Sequence, residues 1–391
     1  MSIFRLSSLG LLLLLLAAPA AIAQRGNQEL ISKHNEALEH SARAIAEAIN
    51  NREVAAFLEL MDIRAFALRV AKFNADDDTS QKQFAESYLK RKQEFAETIF
   101  RNLSNTNAQA KFMRIVSNNG EPRALIRFNM GDMGYEYWEL DLRRQRDGGY
   151  KLVDWYQLSS GQLFSTNVGA LTNLMIKPNR NIFETLFGAK KYDQTLSKTL
   201  ITISNALKTR DTKSAIEAFE SLPDDIKFTR VMCTVGINIA NLTQDDDLYL
   251  SMLARLNKYH ADDPSAAFAL LDYHLYQQRY DEAIKSIAAI EKRVGRDAFV
   301  ILLYANVNLL RENFQQSAHL ANQAVETEAD FEDAYHTLSL SYVKLNQFEN
   351  AVQVFELLRQ NFGYEYSRED FEREENFSDF VKSKAFHEWM N

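Results

Sequence analysis

The tetrads Tyr280-Asp281-Glu282-Ala283, Phe314-Gln315-Gln316-Ser317 and Phe348-Glu349-Asn350-Ala351 decide how the second half of this sequence folds. Their aromatic residues stand at 280, 314 and 348, an interval of 34. Three positions after each aromatic comes a small side chain (Ala283, Ser317, Ala351), and seven after it an apolar one (Ile287, Ala321, Phe355). Ile290, Ala324 and Leu358 continue the same stripe, while Leu270, Tyr304 and Leu338 begin another ten residues before each aromatic. Two apolar stripes at helical spacing, separated by a short polar turn, specify a helical hairpin. A hairpin repeated at this period buries its faces by stacking on its neighbours.

In residues 263–362 these motifs resemble the tetratricopeptide repeat (TPR) family. The resemblance implies three antiparallel helix pairs in a solenoid, with a partner held in the concave groove. Residues at groove positions are then Phe268, Asp272 and Tyr276; Leu302, Asn306 and Leu310; and His336, Leu340 and Lys344. The paired lysines and asparagines with which some family members clamp a C-terminal carboxylate are absent. An apolar or helical peptide segment is therefore the expected partner. Some of these side chains could instead contact a neighbouring helix or the first domain. The tight site on the first helix of each pair falls at Leu271, Ala305 and Ser339, and Leu271 departs from the family's small residue.

Upstream, residues 195–262 read as two further helix pairs. Leu196, Leu200, Ile203 and Leu207 form one stripe, followed by Ala215, Phe219 and Leu222 before Pro223. Phe228, Val231, Val235, Ile239 and Leu242 form a third, and Leu250, Leu253 and Leu256 a fourth. Lacking the aromatic-plus-small signature in register, they are expected to be degenerate repeats, giving about five pairs in all. Residues 363–391 are expected to form a C-terminal capping helix that turns Phe371, Phe377, Phe380, Phe386 and Trp389 inward. An exposed aromatic tail used for docking is the alternative.

The N-terminus has Arg5, an apolar run from Leu9 to Leu16, and Ala21-Ile22-Ala23. This predicts a signal peptide over 1–23, cleaved before Gln24, and hence an exported protein, periplasmic or otherwise secreted. The run is short for a bilayer span and Pro19 interrupts it, so an uncleaved anchor is the second choice and the mature chain is expected to lack a transmembrane segment. The 391 residues carry 45 Lys and Arg against 53 Asp and Glu, a formal charge of −8. That balance argues against nucleic acid as partner, because phosphate binding needs clustered cations. Cys233, the single cysteine, has no internal disulfide partner and reads as a small buried apolar residue.

Residues 27–166 change character midway. Leu30, Ala37, Leu38, Ala44, Ile45, Ala48 and Ile49 fit one helix, Val54 to Met61 a second, and Phe84, Tyr88, Phe95, Ile99 and Leu103 a long third. Asp76-Asp77-Asp78 lacks the alternating calcium-loop pattern and is read as a cap-forming loop. After Asn107 the period falls to two. Phe112, Arg114 and Val116 alternate with Met113 and Ile115; Ala124, Ile126 and Phe128 share a face, as do Trp138, Leu140 and Leu142, then Val153 and Trp155. Three helices followed by a four-stranded meander predict an α+β domain with helices on a curved antiparallel sheet. Pro178 is expected to begin a linking helix within 167–194 that docks Ile182, Phe183 and Leu186.

The stretch Tyr135–Leu158, with Trp138-Glu139-Leu140 and Gly149-Tyr150-Lys151-Leu152-Val153-Asp154-Trp155, resembles the final hairpin of the nuclear transport factor 2-like (NTF2-like) superfamily. That resemblance implies a cone whose mouth holds small ligands or an acid–base site. Asp141 and Asp154 are the strand carboxylates available to it, and Tyr137 is a candidate oxyanion donor. His34 and His40, six residues apart, lie on different sides of the first helix. With no acid–base pair, no phosphate-binding glycine pattern and no metal motif, no enzymatic activity and no cofactor are expected. The expected function is an exported TPR adaptor that binds a protein or peptide partner, with an NTF2-like accessory domain. The alternative is a small-ligand binding protein or enzyme that uses the cone.

Overall fold

The computed structural model describes residues 35–75, 77–118, 120–131, 134–176, 194–209, 211–243 and 245–391. The expected signal peptide, His34 and the linking-helix residues Pro178, Ile182, Phe183 and Leu186 lie outside them. The chain divides into two compact units, one running through Leu158 with Gln162–Asn173, the other comprising Ser159–Gly161 and Leu174–Asn391. No helix among the described residues is long and apolar enough to cross a membrane.

In the first unit, α1 covers 35–50. It is followed by α2 (Val54–Leu60), α3 (Ile63–Ala71), α4 (Asp78–Leu89) and α5 (Lys92–Asn105). Strands β1 (Gln109–Asn118), β2 (Glu121–Asn129), β3 (Tyr135–Arg144), β4 (Tyr150–Gln157) and β5 (Gln162–Leu163) form an antiparallel sheet in sequence order. Helix α6 spans Phe164–Ile176. The helices outnumber the three expected. Helix α3 was not anticipated; Asp62 caps it by accepting a hydrogen bond from the Ala65 amide. The expected long helix is two, because Lys90-Arg91 separates α4 from α5 and Arg91 pairs with Glu94 through two hydrogen bonds of 2.9 and 2.8 Å. Of the aspartate run, Asp77 is the cap, accepting from the Thr79 and Ser80 amides.

Two bulges correct the predicted strand faces. The β1–β2 register shifts between Phe112 and Arg114, so Ile115, opposite Ala124, packs on the core that holds Phe112. A second shift after Asp141 leaves Val153 without a partner, so Leu152 and Trp155 both enter the core. A bulged strand gains one residue and reverses its alternation, a change that a strict period of two does not anticipate. Between sheet and helices, Trp155 stacks on Phe164 at 4.2 Å and on Trp138 at 4.8 Å, with Phe66 at 6.1 Å from Trp155.

The second unit is helical. Its five helix pairs among the described residues are α7 (Gln194–Thr209) with α8 (Thr212–Glu220), α9 (Arg230–Thr243) with α10 (Asp246–His260), α11 (Ala267–Tyr276) with α12 (Tyr280–Val294), α13 (Ala298–Leu310) with α14 (Phe314–Thr327), and α15 (Glu332–Lys344) with α16 (Phe348–Phe362). The second helices begin at 212, 246, 280, 314 and 348, so the 34-residue interval runs through all five. Each pair turns in the same way. The amides of Asp211, Asp245, Arg279, Asn313 and Gln347 donate to the carbonyls of Ala206, Ala240, His274, Asn308 and Tyr342, at 2.8, 3.2, 2.8, 2.8 and 2.9 Å. This bond, spanning six residues, closes a Schellman turn. In the last three turns the left-handed residue is Gln278, Glu312 or Asn346, with φ of 54°, 59° and 56°.

The two early pairs thus keep the register that their first residues conceal. Thr212 and Asp246 replace the aromatic and Tyr249 replaces one small residue, yet Phe219, Leu222, Leu253 and Leu256 are buried at the repeat positions. Gly236 lets α8, α9 and α10 approach, since a Cβ there would lie 2.4 Å from Met252 Sδ and 2.9 Å from Phe219 Cζ. Cys233 is fully buried. Leu271 is buried too, and α11 still packs on α12.

Beyond Gly363 the expected single capping helix is three short ones, α17 (Arg368–Glu372), α18 (Ser378–Val381) and α19 (Lys384–Trp389). Steps of six residues, from Phe371 to Phe377 and from Phe380 to Phe386, would rotate a continuous helix by about 240°. The breaks allow Phe371, Phe380 and Phe386 all to be buried, with Phe371 at 5.1 Å, Phe380 at 5.7 Å and Trp389 at 5.5 Å from Phe355 of α16. The exposed-tail alternative does not describe these rings.

Ala351 of α16 is fully buried at the small-residue site. Ala351→Phe is expected to overpack the pair and cost about 1–3 kcal/mol. A lowered urea midpoint of the full chain would show it, and an unchanged midpoint would mean that the contact is not close.

Candidate functional site

The first unit places the carboxylates of the expected ligand site directly opposite one another. Asp141 on β3 and Asp154 on β4 are register partners beside the Val153 bulge. Helix α3 is tied to β4 by the Asp62 amide, which donates to the Leu152 carbonyl at 2.8 Å. That anchor sets Arg69 against both carboxylates: its Nη2 lies 2.5 Å from Asp141 Oδ2 and its Nη1 3.1 Å from Asp154 Oδ2. Arg123 of β2 also pairs with Asp141. The Ser165 hydroxyl donates to Asp154 Oδ2 at 2.5 Å, and its amide to Oδ1 at 3.1 Å.

Asp154 is fully buried. Burial pushes its carboxyl above the ordinary range, while Ser165 and then Arg69 pull it back without cancelling the rise. Both strand carboxylates are thus committed to arginine. Tyr137 is also buried, but it lies four residues from Asp141 along β3, roughly 13 Å at strand rise. The structure therefore brings Asp141 and Asp154 together and leaves Tyr137 apart from them. Arg69, Arg123 and Ser165 were missed in the sequence. The one available signal was Arg69, a lone cation within the apolar run Ala65-Phe66-Ala67-Leu68-Arg69-Val70-Ala71.

In the second unit the expected groove positions fall on α11, α13 and α15, one helix from each clear pair. Tyr276 and Leu310, one repeat apart, are 65% and 51% exposed. Lys344 holds the third equivalent position and is exposed. Phe268 and Leu340 are half-buried, whereas Leu302 is buried among the helices. Asn306 Oδ1 accepts a hydrogen bond from the Thr337 hydroxyl at 2.8 Å. His336 is exposed, with Nε2 3.0 Å from the Tyr364 hydroxyl, which itself donates to Glu332. Asp272 is exposed and accepts from the Tyr249 hydroxyl at 2.9 Å. An open cleft of about 460 Å³ lies at the C-terminal end of α16, lined by Arg359, Gly363, Tyr364, Glu365 and Tyr366.

Burial pushes the Cys233 thiol up to about 11, which removes it as a nucleophile near neutral pH. Among the described residues, no cluster of three or more His, Cys, Asp or Glu side chains is arranged to hold a metal ion.

Removing Arg69 would leave the buried Asp154 carboxylate without its cation. Arg69→Met is expected to cost about 3 kcal/mol, and Arg69→Met with Asp154→Asn to recover part of that loss. Urea unfolding of the full chain measures both. A double variant less stable than Arg69→Met alone would show that the pair is not coupled.

No family model matches this chain, and no curated protein does. Among solved structures, the crystal structure of MamA protein is similar with 13% sequence identity and a TM-score of 0.33, over 44% of this chain and 97% of that one. A TM-score of that size does not define a shared fold.

Proposed function

We propose that this chain is an exported TPR adaptor that works by binding rather than by catalysis, holding a protein or peptide segment along α11, α13 and α15. The observation that carries the reading is the pair Tyr276 and Leu310, large apolar side chains exposed at the same position of consecutive repeats. Leu163, Tyr259 and Leu357 are exposed singly, which is ordinary for a protein surface. A stripe that recurs with the repeat is what a partner lying across successive pairs would contact. The common turn geometry and interval of the five pairs support a tetratricopeptide-like solenoid.

For the first unit, helices packed on an antiparallel meander support an NTF2-like accessory domain. Its ring-filled interior and arginine-bound carboxylates favour a structural or docking role over a ligand-holding cone. Export, to the periplasm or otherwise out of the cell, rests on Arg5, the run Leu9 to Leu16 and Ala21-Ile22-Ala23.

A photo-crosslinking residue at Tyr276 or at Leu310 is expected to give the same covalent adduct in the chain's native cells, and one at exposed Gln353 of α16 is expected to give none. Adducts confined to Gln353, or absent from all three, would contradict the groove. Mass spectrometry of the chain from those cells is expected to find Gln24 at the N-terminus. A chain that keeps residues 1–23 would refute cleavage.

A further inference from the structure

We infer that the face of α11 bearing Phe268, Asp272 and Tyr276 is a cation subsite that takes a lysine or arginine side chain of the bound segment. The assignment rests on this helix face being the binding groove proposed above. The three residues follow at i, i+4 and i+8, so they share one side of the helix, with an aromatic ring one turn to either side of the carboxylate. Tyr249 of α10 sits where the repeat otherwise favours a small residue, and its hydroxyl donates to Asp272 Oδ2 at 2.9 Å.

Asp272 is the one carboxylate among the nine groove positions, and it differs from two of the polar groups beside it. Asn306 is engaged by Thr337, and His336 by Tyr364. An ionised carboxylate can accept about four hydrogen bonds, and Asp272 has the one from Tyr249. No Lys, Arg or His among the described residues pairs with it; Arg279, seven positions on, lies over the Tyr273 ring at 5.8 Å. Solvent reaches Asp272, yet the surrounding protein raises its carboxyl above the ordinary range; the Tyr249 hydroxyl pulls it back only in part, and no cation adds to that. An uncompensated carboxylate on such a wall gains most from a cation that brings its own charge and donors. Flanking rings favour the same ligand, since a guanidinium or ammonium is attracted to an aromatic face. A segment presenting a carboxylate here would meet like charge. The fitting partner is therefore an apolar segment interrupted by a basic residue.

A phage-displayed library of random twelve-residue peptides, panned against the full chain, tests this. Peptides retained by the natural chain are expected to carry an excess of Lys or Arg among apolar residues. The best of them, measured by fluorescence anisotropy, should bind Asp272→Asn about tenfold more weakly, and Asp272→Lys should select acidic residues instead. Matched melting curves of the three chains separate a lost subsite from a lost fold. Peptides that depend on Tyr276 and Leu310 but show no basic excess, and bind Asp272→Asn equally, would overturn the cation subsite and leave the groove standing. If no retained peptide is sensitive to Tyr276→Ala, Leu310→Ala or Asp272→Asn, groove and subsite both fall.

Discussion

The helical unit depends on a turn that the chain makes at the same interval in each of its five pairs. In the last three, Gln278, Glu312 and Asn346 adopt a left-handed conformation, which costs a side-chain-bearing residue roughly 1–2 kcal/mol. The cost is offset locally, because the turn satisfies carbonyls at the end of the first helix that would otherwise lack a partner. It is offset again by what the turn makes possible. With the reversal fixed, Ala283, Ser317 and Ala351 meet the preceding helix at the same height each time, and all three are fully buried. Ser317 also reaches the helix that follows: its hydroxyl lies 2.8 Å from that of Ser341 on α15, so even the polar member of the series is satisfied inside the stack.

The clear repeats were legible because aromatic, small and apolar residues coincide there in one register. The earlier pairs obey the same geometry with Thr212 and Asp246 in place of the aromatic, so a reading anchored on that residue finds two helix pairs but not their register. The apolar pair seven and ten residues after the start of the second helix persists through all five pairs described, because those side chains fill the core regardless of how the helix begins. In the first unit the order of helices before strands was legible, but strand faces and helix breaks were less so. A bulge after Phe112 or at Val153 leaves no mark in composition, and it inverts the alternation that follows.

Of the candidate sites, the strand carboxylates were legible as residues but not as a chemical environment. Asp154 and Asp141 look available in the sequence, yet their partners come from other elements: Arg69 of α3, remote in the chain, Arg123 of β2 and Ser165 at the start of α6. A buried carboxylate recruits such partners because an unpaired charge in the interior is prohibitively costly. The same rule explains why a strand Asp beside bulky rings is more often an ion pair than an acid–base group.

Asp272 is the counterexample within the same chain. Its carboxyl, like that of Asp154, is raised by surrounding protein, but no arginine answers it and one hydroxyl holds it in place. In the first unit arginines meet Asp141 and Asp154, whereas Asp272 of the helical unit faces solvent between aromatic side chains. The Tyr249 hydrogen bond ties this carboxylate to α10, but its charge stays without a cation, so the value of that charge lies in what arrives from outside. Apolar side chains such as Tyr276 and Leu310 can hold many segments about equally well; the unpaired carboxylate is what allows the groove to prefer one of them.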